Sequence, residues 1–294
     1  MGQGESPRIE VGRETATKVE VSEATLEREN WGPFLALIGA MAQPEAPDVG
    51  GRIAFWSDLL LNSPAASARL RTLSAQRSIE DVAPLVPEKY DCTTFVETVL
   101  SLARSQRPEH FFDELLRVRY RDGQGRFSSR NHFPDADWLP NNLQNGILED
   151  VTDRIAMSTS VSSKTVAKLI KKREWITSQV GRHKVERTLA SIGSEVWQDV
   201  RAEVKYLPIQ NVRGFMARIP NGTVANVVNE DTPARLVLIT HQGFVLQRDG
   251  KTYFRHANPG GQIRTDLLTE YVRRATARSG GKSIVGLNFV QVRE

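Results

Sequence analysis

The stretch "KYDCTTFVETVL", residues 89–100, holds the only cysteine in a chain of 294 residues. Asp91 is a favourable helix N-cap, because its side-chain oxygen can accept from the free N–H groups of a first turn. Thr94-x-x-Glu97 has the spacing of a capping box, so a helix is expected to begin within a residue or two of Cys92. Phe95, Val96, Val99, Leu102 and Ala103 then fall on one helical face, with Cys92 at its N-terminal end. Unpaired N–H groups and the helix dipole at that end stabilise a thiolate, the nucleophilic form of the side chain. The same N–H groups can hold an oxyanion. An inert thiol buried in a core fits the stretch as well, so the partners decide.

A nucleophilic Cys needs a base, usually His, and a third group that orients the base. The chain has five histidines: His110, His132, His183, His241 and His256. His110 and His183 stand in charged helical surroundings and read as structural or surface residues. His241 and His256 lie on neighbouring strand-like runs, "ITHQGFVLQ" and "KTYFRHA", joined by "RDG". A two-residue loop at Asp249-Gly250 places Arg248 opposite Lys251, His241 opposite Asn258 and Gly243 opposite His256. Strand alternation then turns His241, His256 and Asn258 to one face. The histidines become diagonal neighbours, about 7–8 Å apart between backbones. A slip of one residue would send His256 to the other face. A Cys at a helix start, with a base and its orienter on a later antiparallel hairpin, resembles the layout of papain-like hydrolases.

Composition sets the frame for this reading. With 39% hydrophobic and 25% charged residues and a net charge of +4, the chain reads as globular with material for a real core. A single Cys excludes an internal disulfide framework. No apolar run reaches the length of a membrane span. The apolar stretch "WGPFLALIGAMA" (31–42) follows thirty polar residues, the wrong order for a secretory signal, so no signal peptide is read. "KTVAKLIKKREWITSQVGRHKVER" (164–187) carries eight Lys and Arg against two Glu. No nucleic-acid motif accompanies it, so a solvated helical surface is the reading, with an anionic partner as the alternative. "GGKS" (280–283) lacks the first Gly of a phosphate loop, since position 276 is Thr276. "NGT" (221–223) matches a glycosylation sequon but reads as a hairpin turn.

Along the chain, residues 1–28 read as a flexible arm and 29–294 as a single domain, helical over 29–210 and an antiparallel sheet over 211–294. Helices are expected at 31–43, 51–61 and 108–120, and within the charged stretch 164–204. Residues 121–145 read as a long structured loop. "FMARI", "TVANVV", "ARLVLITHQGFVLQ", "KTYFRHA" and "SIVGLNFVQV" read as strands. The fold class is therefore α+β, with the Cys92 helix packed on the sheet and extra N-terminal and middle helices.

"YDCTTFVETVL", "SRNHFPDADWLPNN" followed by "EDVT", "THQGFV" and "FRHANPGG" together resemble the motifs of the N-acetylmuramoyl-L-alanine amidase-like family. That family is a bacterial branch of the NlpC-type papain-like cysteine peptidases, and the matches run in its order from about residue 50 to the C-terminus. The resemblance implies a rearranged papain-like core that cleaves the muramoyl–L-alanine amide of muropeptides without metal or cofactor. It implies Cys92 as nucleophile, His241 as general base and His256 as the residue that orients it. Asp91 would cap the helix and line the cleft. Arg130, His132 and Trp138, from the family's own "R-x-H…W" stretch, would form a cleft wall. Arg130 would pair with a substrate carboxylate and Trp138 would stack on a sugar ring; the alternative is that Trp138 and Phe133 only anchor the loop. Asn258, on the histidine face, completes the expected substrate contacts.

Three departures stand out, one being "IPNGTVANVV" (219–228) where the family has a Gly-Asp-containing strand entry. The Pro-Tyr element usual ahead of the Cys is replaced by "LLLNSPAASARL" (59–70), which has Ser63-Pro64 and no Tyr. Gln242 stands where the family more often has Val. The implied place of action is the bacterial cell envelope or periplasm by an unidentified export route, with the cytoplasm as the alternative and a protein partner or delivery system left open. The rival functions are a stem-peptide endopeptidase, a thiol acyltransferase and an inactive muropeptide-binding module.

Overall fold

A computed structural model of the chain describes residues 48–61, 90–105, 110–125, 127–175, 197–258, 263–278 and 283–293. The expected arm at 1–28, the helix at 31–43, the 62–70 portion of the Ser63-Pro64 region and His183 lie outside the described residues. Helices α1 (Val49–Leu59), α2 (Cys92–Arg104) and α3 (Phe111–Arg119) come first. A π-helical turn (Pro134–Trp138) runs into α4 (Leu139–Gln144), followed by β1 (Leu148–Asp150) and α5 (Thr152–Met157). Then come β2 (Lys164–Ile170), β3 (Val200–Pro208), α6 (Val212–Phe215), β4 (Thr223–Asn229), β5 (Ile239–Arg248), β6 (Lys251–Ala257) and β7 (Ile263–Leu267). Helix α7 (Leu268–Arg278) and β8 (Ile284–Val292) complete the order.

The strands form one sheet in the order β2-β3-β8-β4-β5-β6-β7, with β1 pairing β8 off that path. Every pairing is antiparallel. The class is thus α+β, as helical segments followed by an antiparallel sheet implied. Helix α2 lies on this sheet with Phe95, Val96, Val99 and Leu100 fully buried. Phe95 meets Phe244 of β5 edge-on at 5.7 Å, which fixes the helix over the strand that carries His241. Each such side chain, buried from water, contributes about 1.5–3 kcal/mol.

The helix start differs in detail from its expected cap. Asp91 is the N-cap: its Oδ1 accepts from Thr94 N at 2.8 Å, and Thr94 Oγ1 accepts from Asp91 N at 2.9 Å. Thr94 is therefore the N3 partner in the box, and Glu97 plays no part in it. Glu97 lies almost one turn further on, where it accepts from Arg119 Nε of α3 at 2.8 Å with both side chains 1% exposed.

Other expectations need correction. Residues 164–170 and 200–208 are strands inside the part expected to be helical. In β3 the buried Ala202 and Val204 alternate with exposed Arg201 and Glu203, so the charges mark the open face of a strand rather than a helical surface. "FMARI" falls in short helical turns at 212–218, between Pro208 and Pro220, too short to reach the sheet as a strand. The stretch 121–145 contains the π-helical turn and α4, where the missing apolar period reflects helices of only one or two turns.

Candidate active site

Helix α2 presents Cys92 at its first position, half-buried, directly after the Asp91 cap. The start of the helix is tied to the sheet through side chains. Thr93 Oγ1 donates to Gln242 Oε1 at 2.8 Å, and Gln242 Nε2 donates to Asn226 Oδ1 at 2.9 Å. Asn226 Nδ2 donates to Asn288 Oδ1 at 2.8 Å, and Asn288 Nδ2 donates to Asp150 Oδ2 and Thr152 Oγ1 at 3.0 and 3.1 Å. Thr93, Gln242, Asn226 and Asn288 are all buried, so the chain of bonds satisfies groups that would otherwise be costly in the core. Gln242, the departure noted in the sequence, is the link between the helix and this network.

The hairpin of β5 and β6 has the expected register, with Arg248 opposite Lys251 and Phe244 opposite Arg255. Asp249, at φ 49°, and Gly250, at φ 69°, make the two-residue turn, and both adopt the left-handed conformation that such loops require. His241 Nε2 and His256 Nδ1 are 2.9 Å apart, and His256 Nε2 is 3.2 Å from Asp266 Oδ2. Asp266 also receives Arg274 at 2.5 Å.

This pattern assigns the protons. Asp266 is held below the usual carboxylate range by Arg274 and His256, against its burial, so it only accepts. His256 Nε2 therefore carries a hydrogen and its Nδ1 accepts from His241 Nε2–H. The Nδ1 of His241 is left with its lone pair. Desolvation and the adjacent His256 push His241 down to about 3, with the Asp91 carboxylate opposing weakly. Desolvation likewise lowers His256, against the pull of Asp266.

Tyr271 of α7 packs against both imidazoles. Its ring lies parallel to His241 at 6.0 Å and edge-on to His256 at 5.0 Å. Burial raises the Tyr271 hydroxyl, and negative charge at Cys92 adds to the effect. His241, His256, Asn258, Asp266 and Tyr271 line a cavity of about 230 Å³ together with Arg264, Arg274 and Arg278. Cys92 stands outside the cavity lining.

Of the residues singled out in the sequence, Asp91 and Cys92 meet at the helix start, and His241, His256 and Asn258 share the cavity. Arg130 and His132 do not join them. They line a separate, narrow cleft with Lys172 and Trp197. His132 is held against the rings of Trp175 and Trp197, and Arg130 lies over the Tyr120 ring. Trp138 is fully buried in the core, so it offers no face to a sugar. Trp138 and Phe133 instead anchor the 121–145 stretch, the alternative reading of those rings. Asp266, Tyr271 and Arg274 are not flagged by the sequence reading. The signal is present: Tyr271, Arg274, Ala275 and Arg278 recur at helical spacing, and Asp266 alternates with Arg264, the partner of His256 in β7.

Two predictions arise here. A Cβ at Gly243 would sit 2.5 Å from the Arg255 carbonyl oxygen and 2.8 Å from the Phe254 ring. Gly243→Ala should therefore part β5 from β6 beside the histidine pair and cost about 1–3 kcal/mol in a denaturant melt. An unchanged midpoint would contradict this packing.

The second concerns pH. Below about 6.5 the unfolded chain protonates His241, whereas the folded chain resists this down to about 3. Stability should fall as pH drops through that window, at most about 1.4 kcal/mol per pH unit for this group. Asp135, raised by burial to about 6, acts in the opposite direction below that value. Melts of His241→Asn beside the parent isolate the His241 share: the variant should lose less stability on acidification, and equal losses would refute the assignment.

An antiparallel sheet bearing this histidine pair, with a capped helix packed upon it, defines an α+β protein, and the family model that it matches is amidase-like. The chain belongs to the AmiA-like, N-acetylmuramoyl-L-alanine amidase-like family, whose model matches residues 66–278. Its fold is similar to that of a Legionella pneumophila str. Philadelphia 1 protein of the DUF1460 family model. That pair has 22% identity and a TM-score of 0.74, covering 93% of this chain and 97% of the other. An N-acetylmuramoyl-L-alanine amidase from Bacteroides uniformis is also similar, at 22% identity and a TM-score of 0.60, over 84% of this chain and 99% of that one. At such identities the likeness establishes the fold, and sites must be argued residue by residue. No curated protein matches the chain. Among the described residues no helix is long and apolar enough to cross a membrane.

Proposed function

We propose that the chain is a muropeptide amidase of papain-like, NlpC-type architecture, formed by a single domain over residues 29–294 and acting in the bacterial cell envelope. The observation that carries this reading is the His241–His256–Asp266 chain of hydrogen bonds in a member of an amidase-like family. Its proton pattern leaves the unprotonated lone pair of His241 on Nδ1, the atom that would take the thiol proton.

In this reading His241 Nδ1 takes the Cys92 proton as the sulfur attacks the lactyl carbonyl carbon of the muramoyl group. The developing oxyanion is held by N–H groups at the start of α2. As the tetrahedral adduct collapses, the imidazolium returns its proton to the departing L-alanine nitrogen, and a thioester remains on Cys92. Water, deprotonated by His241, then attacks the thioester, and the thiol re-forms as the muramic acid leaves. His256 holds His241 in the productive tautomer, and Asp266 does the same for His256. Tyr271 closes the other side of both rings. The lactyl–alanine bond is chosen over a bond within the stem peptide because the family is named for that amide.

Mass spectrometry of digested muropeptides tests the bond. Intact stem peptide beginning with L-alanine is the expected product. L-alanine left on the muramoyl group would mean an endopeptidase, and transfer to an added amine in place of water would mean an acyltransferase.

A further inference from the structure

The cavity beside the histidine pair is more basic than the proposed chemistry needs. Three guanidinium groups, Arg264, Arg274 and Arg278, line it, and Asp266 is the single carboxylate among the described lining residues. Asp266 is already committed to His256 at 3.2 Å and Arg274 at 2.5 Å, and stands 3.7 Å from Arg264. Arg278 has no carboxylate partner among the described residues. Glu270, the one acidic residue of α7, pairs with Arg273, which is outside the cavity lining. Arg278 thus keeps its guanidinium without a carboxylate, and Arg264 has only the outer edge of Asp266, 3.7 Å away, which Arg274 and His256 already share.

Their placement has a pattern. Tyr271, Arg274, Ala275 and Arg278 stand at i, i+3, i+4 and i+7 of α7, so the helix face that seats Tyr271 on His241 also delivers Arg278. Seven residues of helix span about 10 Å, the length of about three extended residues. We infer that Arg278, assisted by Arg264, is a carboxylate-binding subsite that selects peptides bearing a free carboxylate within about three residues of the cleaved amide. This inference rests on the proposed amidase reading, and it names the part of the leaving peptide that the cavity holds. Arg is suited to the task because its planar fork takes both oxygens of a carboxylate at once.

Two ligands test it: N-acetylmuramoyl-L-alanyl-γ-D-glutamyl-L-lysine, with two free carboxylates, and the same molecule with both converted to carboxamides. Binding is measured by calorimetry to Cys92→Ala, which cannot turn the ligand over, and cleavage is measured with the parent chain. The acid should bind more tightly than the amide by about tenfold to a hundredfold, the worth of a charged hydrogen-bonded pair. Adding Arg278→Gln should bring that ratio towards one, while Arg278→Lys should restore part of it. Equal binding of acid and amide, binding of neither, or a ratio untouched by Arg278→Gln would overturn the inference. Selective binding without cleavage by the parent would sink the amidase reading and leave the subsite standing. Cleavage of both at equal kcat/KM would do the reverse.

Discussion

Replacing His241 by alanine is expected to lower kcat/KM on muropeptides by about a hundredfold to ten-thousandfold, the usual worth of a positioned general base. The expectation follows from how the imidazole is held. One ring nitrogen is bonded to His256 at 2.9 Å, and that residue is in turn bonded to Asp266, so His241 is fixed in both orientation and tautomer. Tyr271 packs beside it, with its ring nearly parallel at 6.0 Å. Desolvation keeps the ring neutral across ordinary assay pH, so its Nδ1 lone pair is unprotonated before the reaction begins. The loss should appear in kcat more than in KM, since the base acts only as charge develops in the transition state. A variant that folds normally and loses less than a few-fold in kcat/KM would remove His241 from the mechanism.

Arg119→Ala should destabilise the fold by about 3–5 kcal/mol, because Glu97 would be left charged and unpaired inside the core. Both side chains are 1% exposed, and the pair joins α3 to the helix that begins at Cys92. For a chain of this size such a loss lowers Tm by on the order of 10 °C. The double variant Glu97→Met/Arg119→Met supplies the control. Removing both charges together should recover most of the stability, since the penalty lies in the orphaned carboxylate. A single variant as stable as the parent would mean that water reaches Glu97 and that α2 is held otherwise.

The parts of the site that follow local rules are legible in the sequence. Asp91 ahead of Cys92 announces the helix start, and Asp249-Gly250 fixes the register that brings His241 to His256. Partners set by the third dimension are harder to read. Glu97 has the spacing of a capping residue from Thr94, yet its partner is Arg119 on another helix. Trp138 sits in a motif rich in polar residues but points into the core. Asp266 and Tyr271 reach the histidines from a strand and helix beyond the hairpin, across contacts that no short-range pattern encodes. Strands β2 and β3 are hard to read in the sequence because their charged residues obscure a period of two. Gln242 shows the converse, since a residue conspicuous in the sequence acquires its meaning only from Thr93 and Asn226.

The proposed thiol mechanism stands or falls with Cys92. The most direct measurement is release of L-alanyl stem peptide from a defined muropeptide by Cys92→Ala, beside the parent chain at equal concentration. The mechanism predicts rapid release by the parent and none above background by the variant, with the melting curve of the variant close to that of the parent. Release by Cys92→Ala at a rate comparable to the parent would contradict it.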